Sequence, residues 1–473
     1  MQLLAPGVGP EAGDRHGLRF ATRSLRARSW ALVLAIVVVL APIVAPRTAQ
    51  PASRYALTVA IVDHRTIDLG RYEGLLGIDH AIYRGHLRSD KGPGQPLLGV
   101  PLYAIARALG APAVKPKMAV RGDLSLWWLT VTTATIPFAL LCVCMFRRVA
   151  KRSLESALVA TLSVMIGSIA LPHAVNLYAH SLSALFGYAG FCVVADAEPR
   201  RGSAMRFVAG GALLGAAVAT EYHLAIVAVV VGVVVLRRSL QSAVWLVIGS
   251  IAPLAGLAWY QWRAFGAPWH TPFAYYAGTL GGTTKGGYSL PTFSGLNDTL
   301  LGNRGVLMTS PILVVAAIAA LVLSLDRKRR RLDDVVAVVV FVGYVALVAG
   351  WSGTQYLEEP GPRYLIPAIP FLAAPLATVW PSISKWARLV VAWGSGLMLA
   401  AATTFILVSM SDTPVNAYVN RVAHHRFLPT VWSLAFGAAG LWIYGATCGV
   451  ALIWLRRTGR STGITFRHKQ APR

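Results

Sequence analysis

Between Asp79 and Pro96 the chain gathers Asp79, His80, Arg84, His86, Arg88, Asp90 and Lys91 and closes the run with Lys91-Gly92-Pro93-Gly94, in a sequence otherwise dominated by Leu, Val and Ala. Carboxylates, imidazoles and a lysine in one short stretch suit general-base work beside an anionic phosphate: an acid accepts a proton while cations hold the phosphate. Asp68, Asp79 and Asp90 are the candidate catalytic acids, and Lys91 is a candidate phosphate partner. The same residues also support a plainer reading as local ion pairs, Asp79 with His80 or Asp90 with Lys91. Lys91-Gly92-Pro93-Gly94 likewise reads two ways, as a tight turn or as backbone N–H groups that form a small anion site near a lysine. Its spacing does not match the Walker phosphate loop, so nucleotide hydrolysis has little support.

Other polar residues interrupt apolar runs. His173 and His180, seven residues apart, are expected to share a helix face with Asn176 nearby, forming a polar stripe along a cavity. No third ligand stands close to them in sequence, so no metal-ligating residue is assigned. Glu221 falls between two apolar runs, where an acid is costly unless it is used. Arg304 and Arg363 each head an apolar run on the side that should carry few arginines. Bidentate phosphate recognition is one reason for them; pairing of Arg363 with Glu358 or Glu359 is the other.

The elements that must position these residues are hydrophobic helices. A chain of 473 residues with 55% hydrophobic content, 13% charge and mean hydropathy +0.57 reads as an all-α polytopic membrane protein. About twelve apolar runs have the length a bilayer core demands. The net charge of +25 is dispersed in short basic clusters between those runs, which is the positive-inside pattern and not a nucleic-acid surface. Cys142, Cys144, Cys192 and Cys448 lie inside apolar runs without metal-ligand spacing and read as small core residues.

Residues 1–28 are read as a disordered basic cytoplasmic tail, 29–456 as one transmembrane domain and 457–473 as a second basic tail. Trp30 to Ala45 reads as a retained first helix in preference to a cleaved signal. The first external loop, 46–124, holds six acids: Asp63, Asp68, Glu73, Asp79, Asp90 and Asp123. Its run Leu97 to Leu109 is short for a span, and charge parity makes it an interfacial or re-entrant helix. Further spans are expected near 125–146, 155–171, 174–195, 206–220, 222–236, 242–262, 306–325, 335–351, 364–380, 386–408 and 430–455. This order puts both termini and the clusters at Arg147/Arg148/Lys151/Arg152, Arg200/Arg201, Arg237/Arg238, Arg327 to Arg331, Lys385/Arg388 and Arg456/Arg457 in the cytoplasm. The aromatic, Gly-rich second external loop, 263–305, suits an irregular lid or groove.

Several strings in this order resemble the GT-C superfamily of membrane glycosyltransferases, which includes protein mannosyltransferases, lipid A aminoarabinose transferases and mycobacterial arabinofuranosyltransferases. They are Ser53-Arg54-Tyr55-Ala56-Leu57, the stretch Tyr83 to Gly94, His180-Ser181, Thr220-Glu221-Tyr222, Asn303-Arg304-Gly305 through Ser310-Pro311, and Gly361-Pro362-Arg363-Tyr364-Leu365-Ile366-Pro367. The resemblance implies a GT-C-like fold in the plasma membrane with an extracytoplasmic active site. It also implies a catalytic acid in the first external loop, a polyprenyl-phosphate-linked sugar as donor, and a glycan, lipid or protein acceptor. An acidic pair directly after the first span is missing, which leaves the base open among Asp63, Asp68, Asp79 and Asp90. Lys91, Arg304 and Arg363 would hold the donor phosphate, and Arg54, His86, His180, Glu221 and Tyr364 would contact substrate. Loop carboxylates and the phosphate could jointly hold Mg²⁺ or Mn²⁺, although the nearby cations can do the same work.

Two other functions fit parts of the pattern. A transporter or flippase of lipid-linked sugars would use the His, Glu and Arg residues as a pathway through the membrane midplane. A non-catalytic partner of another enzyme would need none of the loop acids.

Overall fold

The structure is a computed structural model, and it describes residues 12–77, 79–117, 122–198, 203–276, 289–351, 358–383 and 385–460. The expectations for Arg200/Arg201, for 277–288 of the second external loop, for 352–357 and for the tail from 461 onward lie outside the described residues. Among the described residues, five helices are long and apolar enough to cross a membrane: Leu124–Ala150, Leu240–Phe265, Leu332–Ala349, Arg363–Ser382 and Ala438–Arg457. Six shorter apolar helices accompany them.

Several expected spans are interrupted for local reasons. The run expected over 174–195 divides into Ala170–Ala174 and His180–Ala195. His173 and His180 therefore sit on separate helices and do not share one helix face. The run over 306–325 breaks before Pro311, whose ring cannot continue a preceding helix, into Val306–Thr309 and Pro311–Leu325. The last run breaks at Gly437, which adopts φ 58°. The basic segment expected to be a disordered tail over 1–28 is helical from Ala12, continuous with the apolar run to Leu40. Arg, Leu and Ala are good helix formers, and adding residues to an existing helix avoids the cost of nucleation.

One end of the helices collects basic residues together with matching acids. Arg148 pairs with Asp333 at 2.8 Å and also with Asp196; Arg152 reaches Asp333 at 2.8 Å and Asp334 at 2.9 Å. Arg147 donates to Ser29, and Arg238 to the Ala195 carbonyl. These residues come from turns that the charge pattern assigns to one side.

The segment read as a long external loop is a packed layer with a core of its own. The Ala49–His64 helix buries Tyr55, Leu57 and Val59 against Leu69, Tyr72, Leu75, Leu76 and Tyr103, with Tyr260 and Phe265 closing the far side. Asp123 caps the Leu124–Ala150 helix, accepting from the Ser125 and Leu126 amides. It also pairs with Arg47 at 2.5 Å, so the two ends of the layer are tied together. A hairpin pairs Ala81–Tyr83 with His86–Arg88, turning through Arg84 at φ 50° and Gly85 at φ 77°, the conformation a two-residue hairpin turn requires. The run read as interfacial is the Gly94–Ala108 helix, with Gln95, Gly99 and Tyr103 inward and Leu97, Leu98 and Ile105 exposed. An apolar outer face is what an interfacial helix presents.

Candidate functional site

The glycines of Lys91-Gly92-Pro93-Gly94 permit close contact more than they shape a turn. A Cβ on Gly92 would stand 2.5 Å from the Thr220 carbonyl oxygen, and one on Gly94 would stand 2.4 Å from the Thr220 hydroxyl. The loop therefore lies directly on the residue that precedes Glu221. This contact brings Lys91 to the C-terminal end of the Ala204–Thr220 helix.

Lys91 is held between two carboxylates: its ammonium donates to Asp79 at 2.8 Å and to Asp90 at 2.5 Å. Asp90 also accepts from Ser53 at 2.8 Å, and Asp79 from the Tyr276 hydroxyl at 3.3 Å. Burial pushes the Asp79 carboxyl up, but Lys91, with Arg363 and Arg54 beyond it, outweighs burial and holds Asp79 below the usual carboxylate range. At Asp90 burial wins over Lys91, and the neighbouring Asp79 charge adds to it, so this carboxyl is raised. Burial alone would lower the Lys91 ammonium; the two aspartates reverse this and raise it. One buried cation thus outweighs burial at Asp79 but not at Asp90.

Next to Ser53, Arg54 donates to Glu221 at 2.6 Å, with both side chains nearly inaccessible. Glu221 also faces His180 at 3.9 Å and His223 at 3.6 Å. The His180 ring stacks on Tyr178 and meets Tyr364 and His173 edge-on. Beyond them Glu359 accepts from Tyr178 at 2.6 Å and from Arg363 at 2.8 Å, and lies 3.1 Å from His173. The Arg363 pairing is the ion-pair alternative weighed from the sequence. Two almost wholly buried groups therefore lie side by side: Asp79, Lys91 and Asp90 reach Ser53, and the adjoining Arg54 pairs with Glu221, from which the ring contacts of His180 lead to Tyr178, Glu359 and Arg363.

The structure thus gathers Asp79, Asp90, Lys91, Arg54, Glu221, His180, Tyr364 and Arg363. It does not bring Asp68 or His86 to them. The Asp68 side chain is 32% accessible, against 8% for Asp79 and 3% for Asp90, and it pairs with His86 on the hairpin surface. Slight burial tends to raise the Asp68 carboxyl, but the Gly70 amide, His86 and Arg88 together lower it. Asp63 pairs with Arg107 at 2.9 Å and Tyr103 at 3.1 Å. Arg304 donates to the carbonyls of Glu359, Ser409 and Asp412 at 2.6 to 3.0 Å, fastening one loop to another.

Sequence reasoning missed Ser53, Tyr178 and His223, and it treated Glu359 only as a partner for Arg363. His223 carried a signal, since Glu221-Tyr222-His223 places two potential ligands two residues apart between apolar runs. No third candidate ligand stands near His173 and His180 in sequence; in space, Glu221 and His223 each bring a potential ligand atom to His180, and the three atoms lie within 4.8 Å of one another.

No family model matches the chain, and no curated protein matches it. Among solved structures, the chain is similar to ArnT from Cupriavidus metallidurans bound to undecaprenyl phosphate. The identity is 12% over 92% of this chain and 73% of that one, with a TM-score of 0.49. It is also similar to the archaeal oligosaccharyltransferase AglB from Archaeoglobus fulgidus in complex with an inhibitory peptide and a dolichol-phosphate. There the identity is 12% over 89% of this chain, with a TM-score of 0.46, and the chain spans 59% of AglB.

Proposed function

We propose that this protein is an integral-membrane glycosyltransferase that moves a sugar from a polyprenyl-phosphate donor to an extracytoplasmic glycan, lipid or protein acceptor, with Asp79 as general base. The observation that carries this reading is the placement of Lys91 between Asp79 and Asp90, with Arg54 and Arg363 acting on the same carboxylate. Three cations around an ionised acid form a site that an anionic phosphate can enter by exchange. Gln95, two residues into the helix that follows Lys91, bonds to Thr133, and fifteen residues of helix separate Thr133 from Arg148. At helical rise this separates Gln95 from the basic end by about 22 Å, which supports a site away from that end.

The chemistry follows from the charges. The donor phosphate recruits Lys91 and Arg363, and Asp79, relieved of part of its ion pairing, gains proton affinity. The Asp79 carboxylate removes the proton of the acceptor hydroxyl, the oxygen attacks the anomeric carbon, and the bond to the polyprenyl-phosphate oxygen breaks. The cations stabilise the negative charge that develops on the leaving phosphate. A single displacement inverts the anomeric centre.

Transfer of labelled sugar from a panel of polyprenyl-phosphate donors, measured with purified protein in detergent, tests the reading. Asp79→Asn should lower turnover by about 10²- to 10⁴-fold, whereas Asp68→Asn should leave it near the unsubstituted rate. Unchanged turnover in Asp79→Asn removes it as the base. Movement of labelled lipid-linked sugar between leaflets without donor consumption replaces the transferase reading with a flippase.

A further inference from the structure

We propose that His180, Glu221 and His223 form a zinc-binding site. His180 opens the His180–Ala195 helix, while Glu221 and His223 lie in the break between Ala204–Thr220 and Ala225–Leu236. Nδ1 of His180 is 3.9 Å from Oε1 of Glu221, Nε2 of His223 is 3.6 Å from Oε2, and one ligand atom from each residue falls within 4.8 Å of the others. Tetrahedral zinc with bonds of roughly 2.0 to 2.1 Å spaces its ligand atoms about 3.4 Å apart. The set therefore has to close by only about 1 to 1.5 Å at its widest.

A second observation points to a ligand independently. Both ring nitrogens of His180, a residue 1% exposed, lack a hydrogen-bond partner, as does Nε2 of His223. Buried polar atoms are nearly always satisfied. Neighbouring His173 is: its Nδ1 bonds the Ile169 carbonyl at 2.7 Å and its Nε2 faces Glu359 at 3.1 Å. Of these three neighbouring histidines, only His180 and His223, the two beside Glu221, carry unmet ring nitrogens; Nε of Arg54 and the Tyr222 hydroxyl, in the same cluster, also lack a partner. The Tyr344 hydroxyl donates to the His223 carbonyl at 3.0 Å, so Nδ1 of His223, 3.4 Å from the same hydroxyl, is the donor between them. This tautomer leaves the Nε2 lone pair facing Glu221, the orienting arrangement found behind metal-bound imidazoles.

Donor chemistry selects the ion. Arg54 donates to Oε1 of Glu221, leaving Oε2 on the side of His223 and taking neither imidazole lone pair. Its charge offsets that of Glu221, so pull on a cation depends on the imidazoles. Two histidines and one carboxylate suit zinc, whereas Mg²⁺ and Mn²⁺ favour sets richer in oxygen. Three protein ligands leave a fourth position for water or an anionic oxygen. Metal binding is inferred without reference to sugar transfer and stands or fails separately from it.

The test uses the full-length protein in detergent without a polyhistidine tag, stripped with EDTA and titrated with Zn²⁺ alone, with bound metal counted by inductively coupled plasma mass spectrometry. About one zinc per chain is expected, falling to below about one tenth in His180→Ala and His223→Ala. His86→Ala, at an exposed hairpin histidine, should keep the full amount. Co²⁺ bound to the unsubstituted protein supplies a readout independent of how well the variants fold, and the intense visible absorption of a four-coordinate site is expected. Absence of zinc from the unsubstituted protein, full occupancy in either variant, or the weak spectrum of octahedral Co²⁺ overturns the proposal.

Discussion

The Arg54 guanidinium meets the Glu221 carboxylate at 2.6 Å across 167 residues of chain, and it ties the Ala49–His64 helix to the C-terminal end of the Ala204–Thr220 helix. Removing one partner leaves an uncompensated buried charge. Arg54→Ala is expected to destabilise the fold by about 3 to 5 kcal/mol. Adding Glu221→Gln should recover part of that loss, because the stranded charge is then gone. Thermal unfolding of the two single variants and the double variant checks this; additive losses would show that the pair is not coupled.

Lys91 sets the pH response of the aspartates. Asp79 is held below its ordinary value, so its contribution to stability is present above the unfolded carboxyl pKa and is lost as pH falls through the folded one. In Lys91→Met both acids lose their cation and burial raises them, so the folded chain binds more protons than the unfolded chain above the ordinary carboxyl range. Stability of this variant then rises as pH falls. The thermal midpoint of Lys91→Met is expected to lie further below that of the unsubstituted protein at pH 7.5 than at pH 5; a constant gap would remove Lys91 from the control of these carboxyls.

Gly94 lies where a side chain would collide with the Thr220 hydroxyl and backbone. Gly94→Ala should cost about 1 to 3 kcal/mol through overpacking and push the Lys91 loop away from Thr220. Gly256→Ala, with open space around the added carbon, serves as the comparison and should not be overpacked. Chemical denaturation of both variants measures the difference, and equal midpoints would mean that the loop has room to move.

Arg363 and Arg304 separate by function although each heads an apolar run. Arg363 belongs to the buried network through Glu359, whereas Arg304 holds backbone carbonyls of neighbouring loops. Losing a charged hydrogen bond of about 1.5 to 3 kcal/mol corresponds to roughly 10- to 100-fold weaker binding of polyprenyl phosphate in Arg363→Ala. Arg304→Ala should lower the unfolding midpoint and leave the affinity within about twofold, since no phosphate contact is removed. Binding curves for the two variants decide the assignment, and equal affinity losses would return Arg304 to the phosphate site.

The sequence by itself determined the helical, apolar character of the chain, because run length and hydropathy are local properties. It also determined which turns share an end: Arg148, Arg152, Asp196 and Asp333 do meet there. The run around Asp79, Asp90 and Lys91 was legible as a centre of chemistry for the same reason, since its members are close along the chain. Only the tertiary structure decided which acids join the site. Asp68 and Asp79 are both loop aspartates in sequence, yet Asp68 pairs with His86 at the surface while Asp79 is buried against Lys91. The meeting of Arg54, His180, Glu221 and His223 depends on the register and crossing of helices far apart in the chain, which no local period encodes. Breaks at 175–179 and at Glu221 put His180 at the start of a helix and Glu221 and His223 between two helices, where they converge with Arg54. The spans expected over 206–220 and 222–236 already part at Glu221, whereas the break at 175–179 falls inside the run expected over 174–195.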